Sequence, residues 1–262
     1  MQLMSGTSMS APAVAAVGAI VRQWFQEGWY PEGSPASAAP LHPSSALIRA
    51  VIAASAVSLD SPHAAAAPSA QYGFGLPSLA RALYIKAAGG SSRIAVVDSS
   101  SVPHGGSAAV SHGAHNVVTA RCSGGPVQVA LAWSDLPGHP SATLQLVNDL
   151  DLLVWSRVDH ASQPVLLYGN GAAIADSRNN LETVSTSCLA GSNLTVAVYG
   201  AIVLSPQQLY ALVVSGAIAQ SSLAATDAQH TVRDAAASGR SVLVTHHDRT
   251  TAAPLALHRI NY

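Results

Sequence analysis

Ser5-Gly6-Thr7-Ser8-Met9-Ser10-Ala11-Pro12 runs directly into Ala13-Val14-Ala15-Ala16-Val17-Gly18-Ala19-Ile20-Val21. From Ala11 to Gln26 the chain is apolar almost all round, the pattern of a helix buried on every side. Small residues at Ala11, Ala13, Ala15 and Ala16 allow close packing, Gly28 is placed to end the helix, and Pro31 follows. The hydroxyl residues thus stand where the chain enters the helix. A serine there has a backbone N–H without an intrahelical acceptor and sits at the positive end of the helix dipole. Gly6 lets the chain bend sharply and lets another backbone approach. Ser and Thr in such places usually serve as caps. The other use is as a nucleophile, which needs a base to take the proton and donors to hold the oxyanion. Local physics leaves both open.

Outward from this stretch the chain changes texture twice. Residues 30–43 are rich in Pro, Ser and Ala and read as a loop; Pro43-Ser44-Ser45 then opens a second helix, Ala46–Val57. A third, short helix, Ser78–Tyr84, follows the Gly73-Phe74-Gly75 turn. After a linker at 87–92 the period falls to two: Val117–Arg121, Val127–Trp133, Thr143–Trp155, Thr183–Ser187, Leu194–Tyr199 and Leu209–Val214 alternate polar and apolar residues. Ser123-Gly124-Gly125-Pro126, Leu136-Pro137-Gly138, Tyr168-Gly169-Asn170-Gly171 and Gly191-Ser192-Asn193 separate them. Short strands at this spacing indicate an all-β sandwich or jelly roll. Beyond Ile218 the pattern fades into a weakly ordered tail with one strand, Ser241–Thr245.

Composition narrows the classes. The 262 residues are 49% hydrophobic and 10% charged, enough apolar material for a core and too little charge for a disordered polyelectrolyte. Alanine inflates that apolar share, and alanine buries little area. A net charge of -1 without a basic cluster argues against a nucleic-acid partner. No stretch reaches the ~20 apolar residues of a membrane span. Met1-Gln2-Leu3-Met4 carries neither the basic segment nor the cleavage site of a signal peptide.

Gly6-Thr7-Ser8-Met9-Ser10-Ala11-Pro12 resembles the serine motif of the subtilases, the peptidase S8 type of serine protease. The resemblance makes Ser8 the nucleophile and its backbone N–H one oxyanion donor, with Gly6, Thr7 and Met9 as motif support. Pro43 to Ala56 resembles the helix that packs on the serine-bearing one, and Tyr72 to Leu83 the segment that closes that domain. Leu131-Ala132-Trp133-Ser134-Asp135, Leu146-Val147-Asn148-Asp149-Leu150-Asp151-Leu152 and Arg178-Asn179-Asn180-Leu181-Glu182 follow in order. They resemble the β-barrel that succeeds the catalytic domain in the oxidatively stable alkaline subtilases. The resemblance implies a serine endopeptidase of the extracellular space or secretory pathway, acting on peptide or protein substrates by an acyl-enzyme, with no cofactor in the chemistry. In that family the Asp motif, the His motif and the oxyanion Asn precede the serine. The chain therefore reads as a C-terminal fragment, inactive alone.

The expected architecture is multidomain: C-terminal helices of an α/β subtilisin fold over 1–86, an all-β jelly-roll or sandwich domain over 93–217, and the tail 218–262. A non-catalytic β-sandwich binding module, or a truncated gene product, is the alternative. Asp149 and Asp151 share one face of a strand while Leu150 and Leu152 face inward. Such a pair is either hydrogen-bonded at a strand bend or bridged by a cation, and the resemblance implies a structural calcium ion there. Cys122 and Cys188 are either buried thiols or, in a secreted protein, a disulfide between neighbouring strands. Asn193-Leu194-Thr195 is a glycosylation sequon just after a turn. Ser111-His112-Gly113-Ala114-His115 looks like a catalytic histidine motif but lies after the serine in β texture, and His246-His247-Asp248 reads as a solvated cluster.

Overall fold

The structure is a computed structural model. It describes residues 5–35, 38–59, 68–89, 93–99, 108–160, 164–171, 173–219, 223–225, 232–234, 241–247 and 254–261. The helices are α1 (Thr7–Gln26), α2 (Ser45–Ser55) and α3 (Leu79–Ala82). The strands are β1 (Arg93–Asp98), β2 (Ala109–Val110), β3 (His115–Trp133), β4 (Asp149–Ser156), β5 (Val165–Tyr168), β6 (Leu181–Cys188), β7 (Asn193–Ile202), β8 (Gln208–Ile218) and β9 (Ala224–Ala225). In the tail, β10 (Val232–Asp234), β11 (Ser241–His247) and β12 (Pro254–Asn261) pair with one another in a separate antiparallel sheet.

β3 organises the β domain. Its first half pairs with β7, from His115 opposite Tyr199 to Arg121 opposite Asn193. Its second half pairs with β6 on one side and β8 on the other, with Val129 opposite both Val184 and Val214. The turn expected at Ser123–Pro126 is therefore a bend inside one strand. Gly124 and Gly125, at φ 95° and 130°, carry the chain from one layer to the other without reversing it. Sequence patterning gives a turn and a bend the same glycine signature. The expected strand Thr143–Trp155 starts only at Asp149, and β1, β2 and β5 were not read from the sequence. β1 and β5 are short and flanked by Ser- or Gly-rich segments that mask the alternation.

Alternate residues of the long strands meet in one core. Val129, Leu131 and Trp133 of β3 and Tyr210, Leu212 and Val214 of β8 lie in the same cluster as Leu150, Leu152 and Val154 of β4 and Leu194, Val196 and Val198 of β7. The intervening residues point the other way. Ala130, Ala132, Ala211 and Val213 are as fully buried, against α2. Alanines on that outer face let the helix lie close to the sheet, which explains why these strand segments are apolar on both faces.

α2 is seated by more than apolar contact. Ser44 caps it, accepting from the Leu47 N–H at 3.0 Å. The Ser44 N–H and hydroxyl in turn donate to the Asp98 carboxylate at 2.9 and 2.6 Å, binding the helix start to the end of β1. Arg49 donates from Nη2 to the Asn180 carbonyl and Oδ1 at 3.1 and 2.9 Å, and from Nη1 to the Trp133 carbonyl at 3.3 Å. The helical segment and the β domain thus share one packed boundary.

α1 departs from expectation. It begins at Thr7, not Ala11, and only Val21, Trp24 and Phe25 are buried, at its C-terminal end. Those rings cluster with Tyr30, whose hydroxyl accepts from the Val96 N–H at 3.3 Å. Its first half is exposed, Met9 and Val14 included, and so is Ile20 beyond it. The described residues contain no element that covers this face, so the all-round apolar pattern is used only over the last two turns.

Candidate functional site

Gly6 is the N-cap of α1, at φ 140°, and no side chain caps the helix. The Gly6 carbonyl receives the N–H groups of Met9 and Ser10 at 3.0 and 3.2 Å and the Ser10 hydroxyl at 3.4 Å. Thr7 and Ser8 occupy the first two helical positions, and the hydroxyl of neither is spent on capping. Ser8 is exposed, and its N–H belongs to the first turn, which has no intrahelical acceptor. The serine therefore stands where an attacking oxygen and an oxyanion donor can lie on one residue. Among the described residues no histidine or carboxylate is hydrogen-bonded to its hydroxyl. His112, at the turn before β3, accepts the Val203 N–H at 3.4 Å through Nδ1 and is part of the β domain.

The three later motif segments converge. Trp133 Nε1–H donates to the Asn148 carbonyl at 2.9 Å, and the Asp135 carboxylate accepts the N–H groups of Leu136, Val147 and Asn148. The fully buried Asn148 donates to Ser205 and Gln208 at 3.1 and 2.7 Å and accepts from the Leu204 N–H at 2.8 Å. Glu182, also fully buried, accepts the Leu152 N–H at 2.8 Å. These contacts fix the β4 start against β6 and the 203–208 loop.

Around Asp149 and Asp151 lies a corner rich in acid. Both aspartates are buried, so the strand face they share does not open to solvent. Burial, reinforced by the charge of Asp176 and then Asp135, pushes the Asp149 carboxyl up to about 6. Burial first and the Asp151 charge second raise Glu182 well above the ordinary carboxylate range. Asp176 goes the other way. Burial would raise it, but bonds from the Asn179 and Asn170 amides and the backbone N–H groups of Arg178 and Asn179 outweigh this and lower it. Gly169 lies over Glu182, where a side chain would run into the carboxylate. One oxygen each of Asp149 and Glu182 is buried without a hydrogen-bond partner. That charge suits a cation. Yet among the described residues no group of three or more His, Cys, Asp or Glu side chains is arranged to hold a metal ion. A buried acid corner of this kind is satisfied either by proton binding or by a cation. Glu182 and Asp176 were missed in the sequence because their separation from Asp149 along the chain hides their proximity.

Cys122 on β3 and Cys188 at the end of β6 are joined as a disulfide, with Cα atoms 5.9 Å apart. Asn193 opens β7 and is exposed. His246 and His247 end β11. Met1 to Met4 and Asp248 fall outside the described residues.

Residues 1–75, which hold the serine motif and α1 and α2, match the subtilase family, Peptidase S8. A second similarity reaches through the β domain. The serine protease/ABC transporter B family protein tagA of Dictyostelium discoideum is 24% identical over 221 residues. That alignment covers 80% of this chain and 12% of the relative, so the chain spans about an eighth of the relative's length. Among the described residues no helix is long and apolar enough to cross a membrane.

Proposed function

We propose that this chain carries the nucleophilic serine of a subtilisin-type serine endopeptidase, set on a jelly-roll domain that supports the serine-bearing helix. The observation that carries the reading is Gly6-Thr7-Ser8-Met9-Ser10-Ala11-Pro12 at an uncapped helix start, within the segment that matches the subtilases. Ser8 Oγ attacks the scissile carbonyl while a histidine takes its proton, and the tetrahedral oxyanion is held in part by the Ser8 N–H. Collapse releases the amine and leaves an acyl group on Ser8, which water removes. The exposed half of α1 is the surface against which the Asp- and His-bearing part of such an enzyme packs. Secretion belongs to the same reading. It is supported by the disulfide, a bond that persists in oxidising compartments.

Turnover of a peptide substrate tests it. The chain alone is expected to be inert. Supplied with a subtilase N-terminal part carrying the Asp and His motifs, it should hydrolyse the peptide, and Ser8→Ala should lower kcat by at least about 10³-fold. Undiminished turnover in Ser8→Ala, or a stable chain that binds a protein partner and never gains activity, would favour a non-catalytic binding module.

A further inference from the structure

We infer that Asn193 is an acceptor for an N-linked glycan. Asn193-Leu194-Thr195 satisfies the acceptor sequence, and no other asparagine of the chain is followed two residues on by Ser or Thr. The fold presents the tripeptide correctly. Leu194 is fully buried in the β-domain core, so the alternation of β7 puts Asn193 and Thr195 together on the opposite, outward face. Asn193 is exposed at the first residue of the strand, just after the turn in which the Ser192 N–H and hydroxyl donate to the Leu189 carbonyl at 3.0 and 2.7 Å. Its Oδ1 accepts a long, exposed bond from Arg121 Nη1 at 3.4 Å, and among the described residues no acceptor engages Nδ2, the atom that would be modified.

The second observation is independent of the tripeptide. The disulfide closes the same corner: Cys188 precedes the turn, the Cys122 N–H donates to the Ser192 carbonyl at 3.0 Å, and the Gly191 N–H donates to the Cys122 carbonyl at 2.9 Å. A disulfide built into the β core belongs to an oxidising lumen, where asparagine-linked sugars are also attached. In the transfer, Nδ2 attacks the anomeric carbon of the first N-acetylglucosamine of a lipid-diphosphate-linked oligosaccharide. The C–N bond forms, the C–O bond to the diphosphate breaks, the lipid diphosphate leaves, and Nδ2 gives one proton to a base of the transferase.

The inference rests on the secretory reading, and the test separates the two. The full chain is sent into the secretory pathway of a eukaryotic cell by a heterologous leader, so its natural destination does not enter the result. The secreted protein is then treated with a peptide-N-glycosidase. The expected result is a drop in apparent mass, with an aspartate at position 193 in the peptide mass spectrum of the treated wild-type chain. Asn193→Gln and Thr195→Ala should each abolish the drop, while Thr195→Ser keeps it. A secreted, disulfide-bonded wild-type chain that the glycosidase does not shift would overturn the inference, as would a shift that survives Asn193→Gln.

Discussion

Single residues decide the chemistry of two places. At Ser8 the decisive feature is what the side chain does not do: with Gly6 as N-cap, the hydroxyls of Thr7 and Ser8 are left out of capping. At Glu182 it is burial that the one bond from the Leu152 N–H does not offset. The folded state raises the affinity of Asp149 and Glu182 for protons above that of the unfolded chain, where a carboxyl titrates near about 4. Their contribution to stability is therefore fully present below about pH 4. It is lost as pH rises through about 6, the folded value of Asp149. Chemical denaturation in chelator-containing buffer should show stability falling across that window. Glu182→Gln keeps an oxygen for the Leu152 N–H and should be more stable than wild type by about 1 kcal/mol at pH 7, with no gain at pH 4. A flat pH profile, or destabilisation by Glu182→Gln at pH 7, would count against this. Replacing chelator with calcium should leave the curve unchanged; a calcium-dependent rise in Tm would place a cation at Asp149 and Asp151. The i, i+2 spacing made that pair visible in sequence, but its burial was not, because Asp176 and Glu182 arrive from distant strands and loops.

At the scale of elements, α2 and β3 show what patterning can and cannot deliver. Pro43-Ser44-Ser45 announced the start of α2, and the structure uses Ser44 as its cap. Nothing local announced that Ser44 also binds Asp98, or that Arg49 reaches across to Asn180 and Trp133. Burial lowers the pKa of the Arg49 guanidinium, which stays charged and forks between acceptors that a lysine cannot span. Arg49→Ala should cost about 1.5–3 kcal/mol in denaturant unfolding, and Arg49→Lys should recover only part of it. No loss in Arg49→Ala would mean that α2 is seated by apolar contacts alone. In β3, glycines that read as a turn mark a change of layer, since positive φ serves both purposes. The disulfide spans that change. Closing a separation of 66 residues implies about 4 kcal/mol of stabilisation by chain entropy, so Cys122→Ala with Cys188→Ala should lower unfolding free energy by about 2–4 kcal/mol. An unchanged midpoint would show that the bridge constrains nothing.

For the molecule as a whole, the helical segment and the β domain are complementary halves of one boundary. Read from the sequence, 93–217 is a self-contained all-β domain and 1–86 only the last helices of another. The alanine face of β3 and β8 qualifies the first part, because removing α2 uncovers Ala130, Ala132, Ala211 and Val213. A 93–225 fragment should keep its sheet but show faster amide exchange at those residues than the full chain, and a tendency to self-associate. Equal protection in both would show that the helices add nothing to the sheet. The exposed first half of α1 makes the opposite point: its apolar residues have no cover among the described residues, and they lie within the segment that matches the subtilases. The most direct test of the account is covalent. The chain, completed with a subtilase N-terminal part, is treated with a fluorophosphonate and the adduct is mapped by peptide mass spectrometry. The account predicts one adduct, on Ser8, absent in Ser8→Ala; an adduct that persists in Ser8→Ala, or an active enzyme labelled at another residue, would contradict it.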